Sequence, residues 1–171
     1  MRDTDMRFLA TLMACLLATP LHGQDTGSLP KFRLGLFGFG AQIGVDFAGD
    51  DQLVVGSALD LGNVYGERLR LRGSAELGVG SEADTYVFSG ELILRFLSED
   101  QIAVPYIGGG VGLYTQAGCG AAEGCPDLWL QFALGFEVRI RSYIAWFIEY
   151  HGEDVFNHNR LFIGLTTKRG I

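Results

Sequence analysis

The stretch "LWLQFALGFEVRIR", residues 128–141, constrains the fold more than any other feature of the chain. Leu128, Leu130, Phe132, Leu134, Phe136, Val138 and Ile140 are apolar, while Gln131, Glu137, Arg139 and Arg141 fall between them. A period of two is a β-strand with one apolar and one polar face, whereas a helix would need apolar residues every three or four positions. A soluble sheet turns the apolar face toward a core. A membrane barrel turns it toward lipid and keeps its charges inside. The strand alone is compatible with both.

The same alternation recurs along the chain. In "FGFGAQIGVDF" Phe37, Phe39, Ala41, Ile43, Val45 and Phe47 oppose Gly38, Gly40, Gln42, Gly44 and Asp46. "LVVGSALDL" sets Leu53, Val55, Leu59 and Leu61 against Gly56, Ala58 and Asp60, and "RLRLRGSAELGVG" sets Leu69, Leu71, Ala75, Leu77 and Val79 against Arg68, Arg70, Arg72, Ser74 and Glu76. "TYVFSGELILRF" opposes Tyr86, Phe88, Leu92, Leu94 and Phe96 to Ser89, Glu91 and Arg95; "VPYIGGGVGLYTQ" opposes Ile107, Val111 and Leu113 to Tyr106, three glycines and Tyr114. "YIAWFIEYH" and "NRLFIGLTTK" complete a set of about eight segments, an even number at hairpin spacing with no helical periodicity among them.

The composition of the two faces decides their direction. The polar faces are built from Gly, Ala, Ser and charges of both signs, which suits a crowded interior; the apolar faces carry Leu, Val, Ile and Phe almost without interruption, as a lipid-contacting band does. Each segment reaches the roughly 9–11 residues that a tilted strand needs to cross a bilayer. The expected fold is therefore all-β, an eight-stranded antiparallel up-and-down transmembrane β-barrel. Its inward charges would be Asp46, Asp60, Arg68, Arg70, Arg72, Glu76, Glu91, Arg95, Glu137, Arg139, Arg141, Glu149 and Arg160. The near balance of signs in that set predicts a salt-bridged plug, because a selective pore would carry a lining of one sign.

The first residues predict export. Arg2 and Arg7 precede an apolar run from Phe8 to Ala18, then Pro20 and Gly23, which is the layout of a signal peptide over 1–23 with the barrel over 24–171. "LMAC" also resembles a lipobox with lipidation at Cys15, but apolar residues continue beyond that cysteine. In an exported chain, Cys119 and Cys125 in "AGCGAAEGCPD" are expected to form a disulfide across a loop. A net charge of −7 without any Lys/Arg run disfavours a nucleic-acid partner. With the N-terminus on the periplasmic side, the cysteine loop and "GEDVFNHN" face outward, while "LSEDQ" and "RSY" form tight periplasmic turns.

The runs "PYIGGGVGLY", "GFEVRI" with "FIEYH", and "LFIGLTTK" resemble the small outer-membrane β-barrel family that includes the barrels of OmpA and OmpX. The resemblance spans the mature chain. It implies residence in the bacterial outer membrane, contact with outer-membrane lipid including lipopolysaccharide, and insertion by the outer-membrane assembly machinery. Members of that family usually end on an aromatic residue, whereas this chain ends "TTKRGI" at Ile171.

Catalytic and cofactor readings find little support. The glycines of "GFGAQIG" and "GGGVG" lie two apart on one strand face, with no following helix to receive a phosphate. His151 lies near Glu149, Glu153 and Asp154, but no serine follows Tyr143, so a Ser-His-acid lipid hydrolase lacks its nucleophile. His151 is expected to point inward near the outer rim and His158 to lie in a loop; a metal site on these residues is a weak signal. Tyr86, Tyr106, Tyr143, Trp146 and Tyr150 fit interfacial girdles. The expectation is a non-enzymatic envelope protein without cofactor, acting through its outer loops on an external ligand that the sequence does not name. A narrow ion channel, a lipid-modifying enzyme and a soluble lipocalin-like carrier are the alternatives.

Overall fold

A computed structural model describes residues 32–48, 51–80, 83–98, 101–119 and 125–168. The expected signal peptide, Cys15 and the terminal Ile171 lie outside the described residues. The strands are β1 (Arg33–Ala48), β2 (Leu53–Tyr65), β3 (Leu69–Val79), β4 (Thr85–Arg95), β5 (Ala103–Gln116), β6 (Asp127–Arg141), β7 (Ile144–Glu153) and β8 (His158–Lys168). Each pairs antiparallel with its sequence neighbours, and β8 returns to pair with β1, so the sheet closes as an eight-stranded up-and-down barrel. Closure removes both sheet edges, the requirement for a sheet that crosses a bilayer.

The apolar faces point out. Phe39, Ile43, Val45, Phe88, Leu92, Leu113, Leu130, Leu134, Ile163 and Leu165 are all exposed, while the alternate residues are buried or half-buried. This is the reverse of a soluble carrier, in which the apolar face would line the interior. Aromatic side chains cluster toward the two ends of the outer surface. Phe47 packs beside Tyr150 and Phe132 beside Phe156 near one end, and Phe136 meets the edge of Trp146 nearer the other.

Inside, large and small residues alternate across the hydrogen-bonded register. Phe147 faces Gly164, Tyr106 faces Gly135, Ile93 faces Gly108, Phe162 faces Gly44 and Glu91 faces Gly110. These glycines provide room rather than flexibility. A Cβ at Gly135 would stand 2.8 Å from the Tyr106 ring and 2.7 Å from the Ile148 carbonyl oxygen. An eight-stranded barrel is just wide enough for side chains to fill it, so each bulky inward residue needs a neighbour with none. Tyr106, expected in an interfacial girdle, is therefore part of this filling, with 4% of its surface exposed.

One end of the barrel carries the connections 49–52, 80–84, 117–126 and 154–157, the other 66–68, 96–102 and 142–143. We refer to these as the loop end and the turn end. The contrast is weaker than the sequence predicts. "GEDVFNHN" contracts to 154–157 because β7 runs through Glu153 and β8 begins at His158, whereas the connection around "LSEDQ" spreads to 96–102. Three consecutive residues of the contracted turn, Asp154, Val155 and Phe156, adopt positive φ. Only 117–126 is long, and it is closed by the Cys119–Cys125 disulfide.

Candidate functional site

The barrel interior is the candidate site, and its charges fall into layers stacked along the axis. At the turn end Arg70 pairs with Asp60 at 2.6 Å and Arg95 with Glu137 at 3.2 Å. In the middle, Arg72 on β3 donates to Glu91 on β4 and to both oxygens of Glu149 on β7, with Nε–Oε2 of 2.8 Å to Glu91 and Nη1–Oε2 of 2.7 Å to Glu149. In an eight-stranded ring β3 and β7 lie diametrically opposite. One guanidinium therefore ties opposite walls together. Multiply bonded Arg–carboxylate geometry of this kind is the strongest form of protein ion pair.

Toward the loop end, Arg160 donates through Nη1 to Glu76 at 2.9 Å and through Nε to Asp46 at 3.2 Å, and lies 3.2 Å from Glu153. Gln42 donates to Glu76 at 3.1 Å, and Gln131 to Glu91 at 2.7 Å. His151 is fully buried between the layers. Its Nε2 hydrogen-bonds Glu149, and its Nδ1 faces the Gln131 amide at 2.8 Å. Above this level Trp129 stacks on Tyr114 and on His158, with ring centroids 3.9 Å and 4.5 Å apart. His158 also approaches Asp46 at 3.4 Å. The sequence predicts a loop position for His158; it is instead the first residue of β8 and half-buried, because the preceding turn is short.

Most of the expected inward charges occupy the interior: Asp46, Asp60, Arg70, Arg72, Glu76, Glu91, Arg95, Glu137, Glu149 and Arg160. Arg68 does not. It sits exposed on the turn 66–68, because β3 begins one residue later, at Leu69. Arg139 and Arg141 follow Glu137 toward the turn-end rim, half-exposed and exposed. Glu153, expected in a loop, is 1% exposed inside the barrel. These shifts overturn the predicted balance of sign. Among the described residues the interior holds the carboxylates of Asp46, Asp60, Glu76, Glu91, Glu137, Glu149 and Glu153 against the guanidiniums of Arg70, Arg72, Arg95 and Arg160.

The filling leaves little space. The cavity bounded by Asp60, Arg70, Arg72, Arg95, Tyr106 and Glu137 measures about 60 Å³. That is room for a few waters, each needing roughly 10–15 Å³ on this measure. Among the described residues His151 hydrogen-bonds Glu149 and Gln131, neither of which carries a hydroxyl. The serine pair Ser74 and Ser89 bonds to itself at 2.5 Å and onward to Glu91.

No protein-family model and no curated protein matches the sequence. Solved structures do match. The N-terminal β-barrel domain of Pseudomonas aeruginosa OprF aligns with a TM-score of 0.62 at 11% identity, covering 77% of this chain and 96% of that one. Neisserial surface protein A aligns with a TM-score of 0.57 at 11% identity, covering 77% and 95%. A de novo designed transmembrane β-barrel gives 0.57 at 14% identity, covering 82% and 100%. The fold is that of the small outer-membrane β-barrels. At these identities the likeness extends to the barrel and its closure, and the interior chemistry must be read from this chain's own residues.

Proposed function

We propose that this chain works in the outer membrane as a closed, non-conducting and non-enzymatic barrel that contributes to envelope integrity and makes its contacts at the loop end. The observation that carries the reading is Arg72, whose guanidinium spans the interior and binds carboxylates on β4 and β7 at once. An ion moving along the axis would have to break that bridge, and breaking a buried pair costs roughly 3–5 kcal/mol. The outer-membrane location rests on the exposed apolar band and on the fold shared with OprF and NspA barrels. The short connections 66–68 and 142–143 support a periplasmic turn end.

The short loop-end connections narrow where partners can bind. Extended contact with lipopolysaccharide or another protein would centre on the disulfide-closed segment 117–126 and the exposed Val155 and Phe156 beside it. The decisive measurement is conductance of the full chain reconstituted in planar bilayers. The expected record is flat. Reproducible unit currents with ion selectivity would replace this reading with that of a narrow channel.

A further inference from the structure

The loop-end half of the interior is acidic beyond what its cations neutralise. In that half and the middle layer, Asp46, Glu76, Glu91, Glu149 and Glu153 share the guanidiniums of Arg72 and Arg160 and the imidazoles of His151 and His158. Buried carboxylates in excess of their cations are costly, and a bound cation is one way to relieve that cost. The arrangement of donor atoms indicates where it would sit.

Glu149 is held as a carboxylate by Arg72, so it can only accept, and the hydrogen in its contact with His151 must lie on the His151 Nε2. In the neutral imidazole Nδ1 then carries the lone pair, and Gln131 Nε2 stands 2.8 Å away in position to donate to it. The same Nδ1 faces Glu76 Oε1 at 3.5 Å and Glu153 Oε1 at 3.8 Å. Three electron-rich atoms of three buried side chains thus converge, all within 4.8 Å of one another. Ligands at about 2.0–2.2 Å from a tetrahedral ion stand ~3.4 Å apart, close to the first of these separations.

Two further observations point the same way. Glu153 is 1% exposed; its Oε2 is ion-paired with Arg160 at 3.2 Å, while its Oε1 has no hydrogen-bond donor among the described residues and is aimed at His151. The surrounding groups also orient the donors as outer-sphere partners do in metal sites. Glu149 fixes the ring through Nε2, and Arg160 takes up the distal Oε2 of Glu76 and lies against that of Glu153.

We infer that Glu76, His151 and Glu153 form a binding site for one divalent transition-metal ion of the zinc type, held inside the barrel beneath the Tyr114–Trp129–His158 stack. Coordination exchanges the Gln131 hydrogen bond at Nδ1 for the metal bond. One imidazole with two carboxylates suits zinc, manganese or iron(II) better than magnesium, which prefers oxygen ligands and water. This inference is independent of whether the barrel conducts.

The test uses the full, untagged chain folded in detergent in the presence of Zn²⁺, passed through a desalting column and analysed for bound metal, with Co²⁺ absorption as a second readout of ligand geometry. About one zinc per chain should be retained in the presence of excess Mg²⁺. Glu153→Gln and His151→Gln, which preserve volume, should weaken zinc binding by roughly tenfold or more while circular dichroism still reports the folded barrel. Glu137→Gln, in the turn-end layer, should leave zinc binding unchanged. Failure of the wild-type chain to retain zinc would overturn the site, as would retention that survives both substitutions. If both variants fail to fold, the tetrahedral cobalt spectrum of the wild-type chain decides: its absence sinks the inference.

Discussion

Leu134→Arg tests the environment of the outer surface directly, because lipid and water assign it different costs. Leu134 is the central residue of the apolar series from Leu128 to Ile140 on β6, and half of its surface is exposed. A strand rises about 3.3 Å per residue, and a tilt of ~40° reduces this to ~2.5 Å along the barrel axis. Leu128 therefore lies ~15 Å above Leu134, beyond half the height of an apolar band ~25 Å tall. In a bilayer, Leu134→Arg should cost about 2–4 kcal/mol and Leu128→Arg about 0–1 kcal/mol. In water, both side chains are exposed and both substitutions should fall within about ±0.5 kcal/mol. The measurement is reversible denaturant unfolding of the chain in lipid vesicles, followed by the fluorescence of Trp129 and Trp146, the two tryptophans of the sequence. Equal costs at the two positions, or a cost at Leu134 below ~0.5 kcal/mol, would refute a membrane-spanning β6.

Other expectations follow from the interior and the loop. Arg72→Met strands Glu91 and Glu149 without their shared cation and should cost about 3–5 kcal/mol, with Glu149→Gln added in the same chain recovering part of the loss; a cost below ~1 kcal/mol would mean the bridge does not brace the walls. Gly135→Val drives a side chain into Tyr106 and the β7 backbone and should cost about 1–3 kcal/mol, less when Tyr106→Ala accompanies it; an unchanged unfolding midpoint would show that the interior is loosely filled. Peptide mapping without reduction should recover Cys119 joined to Cys125, and Cys125→Ser should leave the strand content intact, since the bridge closes a loop outside the barrel wall.

The strands were legible because their signal is local. Period-two alternation in Leu128–Ile140 needs only the residues themselves, and β6 spans Asp127–Arg141 accordingly. The direction of the faces was also legible, since Gly, Ala and Ser opposite Leu and Phe have no place on a water-facing sheet. The positions of the strand ends were not. Arg68 and His158 changed environment because a boundary moved by one or two residues, and on a strand such a shift decides between rim and interior. The interior site was hidden for another reason. Glu76 and His151 are far apart in sequence, and they meet only because β3 and β7 oppose each other across the closed ring. No spacing rule on one strand could report that contact.

The pairing of bulky residues with glycines explains how charge can be packed so densely. Glu91 faces Gly110, where a Cβ would stand 3.0 Å from the Glu91 Cγ, and Glu149 faces Gly135, whose missing side chain makes room for Tyr106; both carboxylates reach inward to Arg72. The two halves of the interior then differ in what their charges can do. At the turn end Asp60 and Glu137 each have a guanidinium of their own, and a layer neutralised in this way resists any further cation. At the loop end Asp46, Glu76 and Glu153 share the one guanidinium of Arg160, with His151 and His158 as their other basic neighbours. A plug that only needed to exclude ions would be served by the first arrangement twice over. The acidic half lies on the far side of the Arg72 bridge from the turn end, so on the proposed reading a cation entering beneath the aromatic stack would meet a closed floor and be bound rather than conducted.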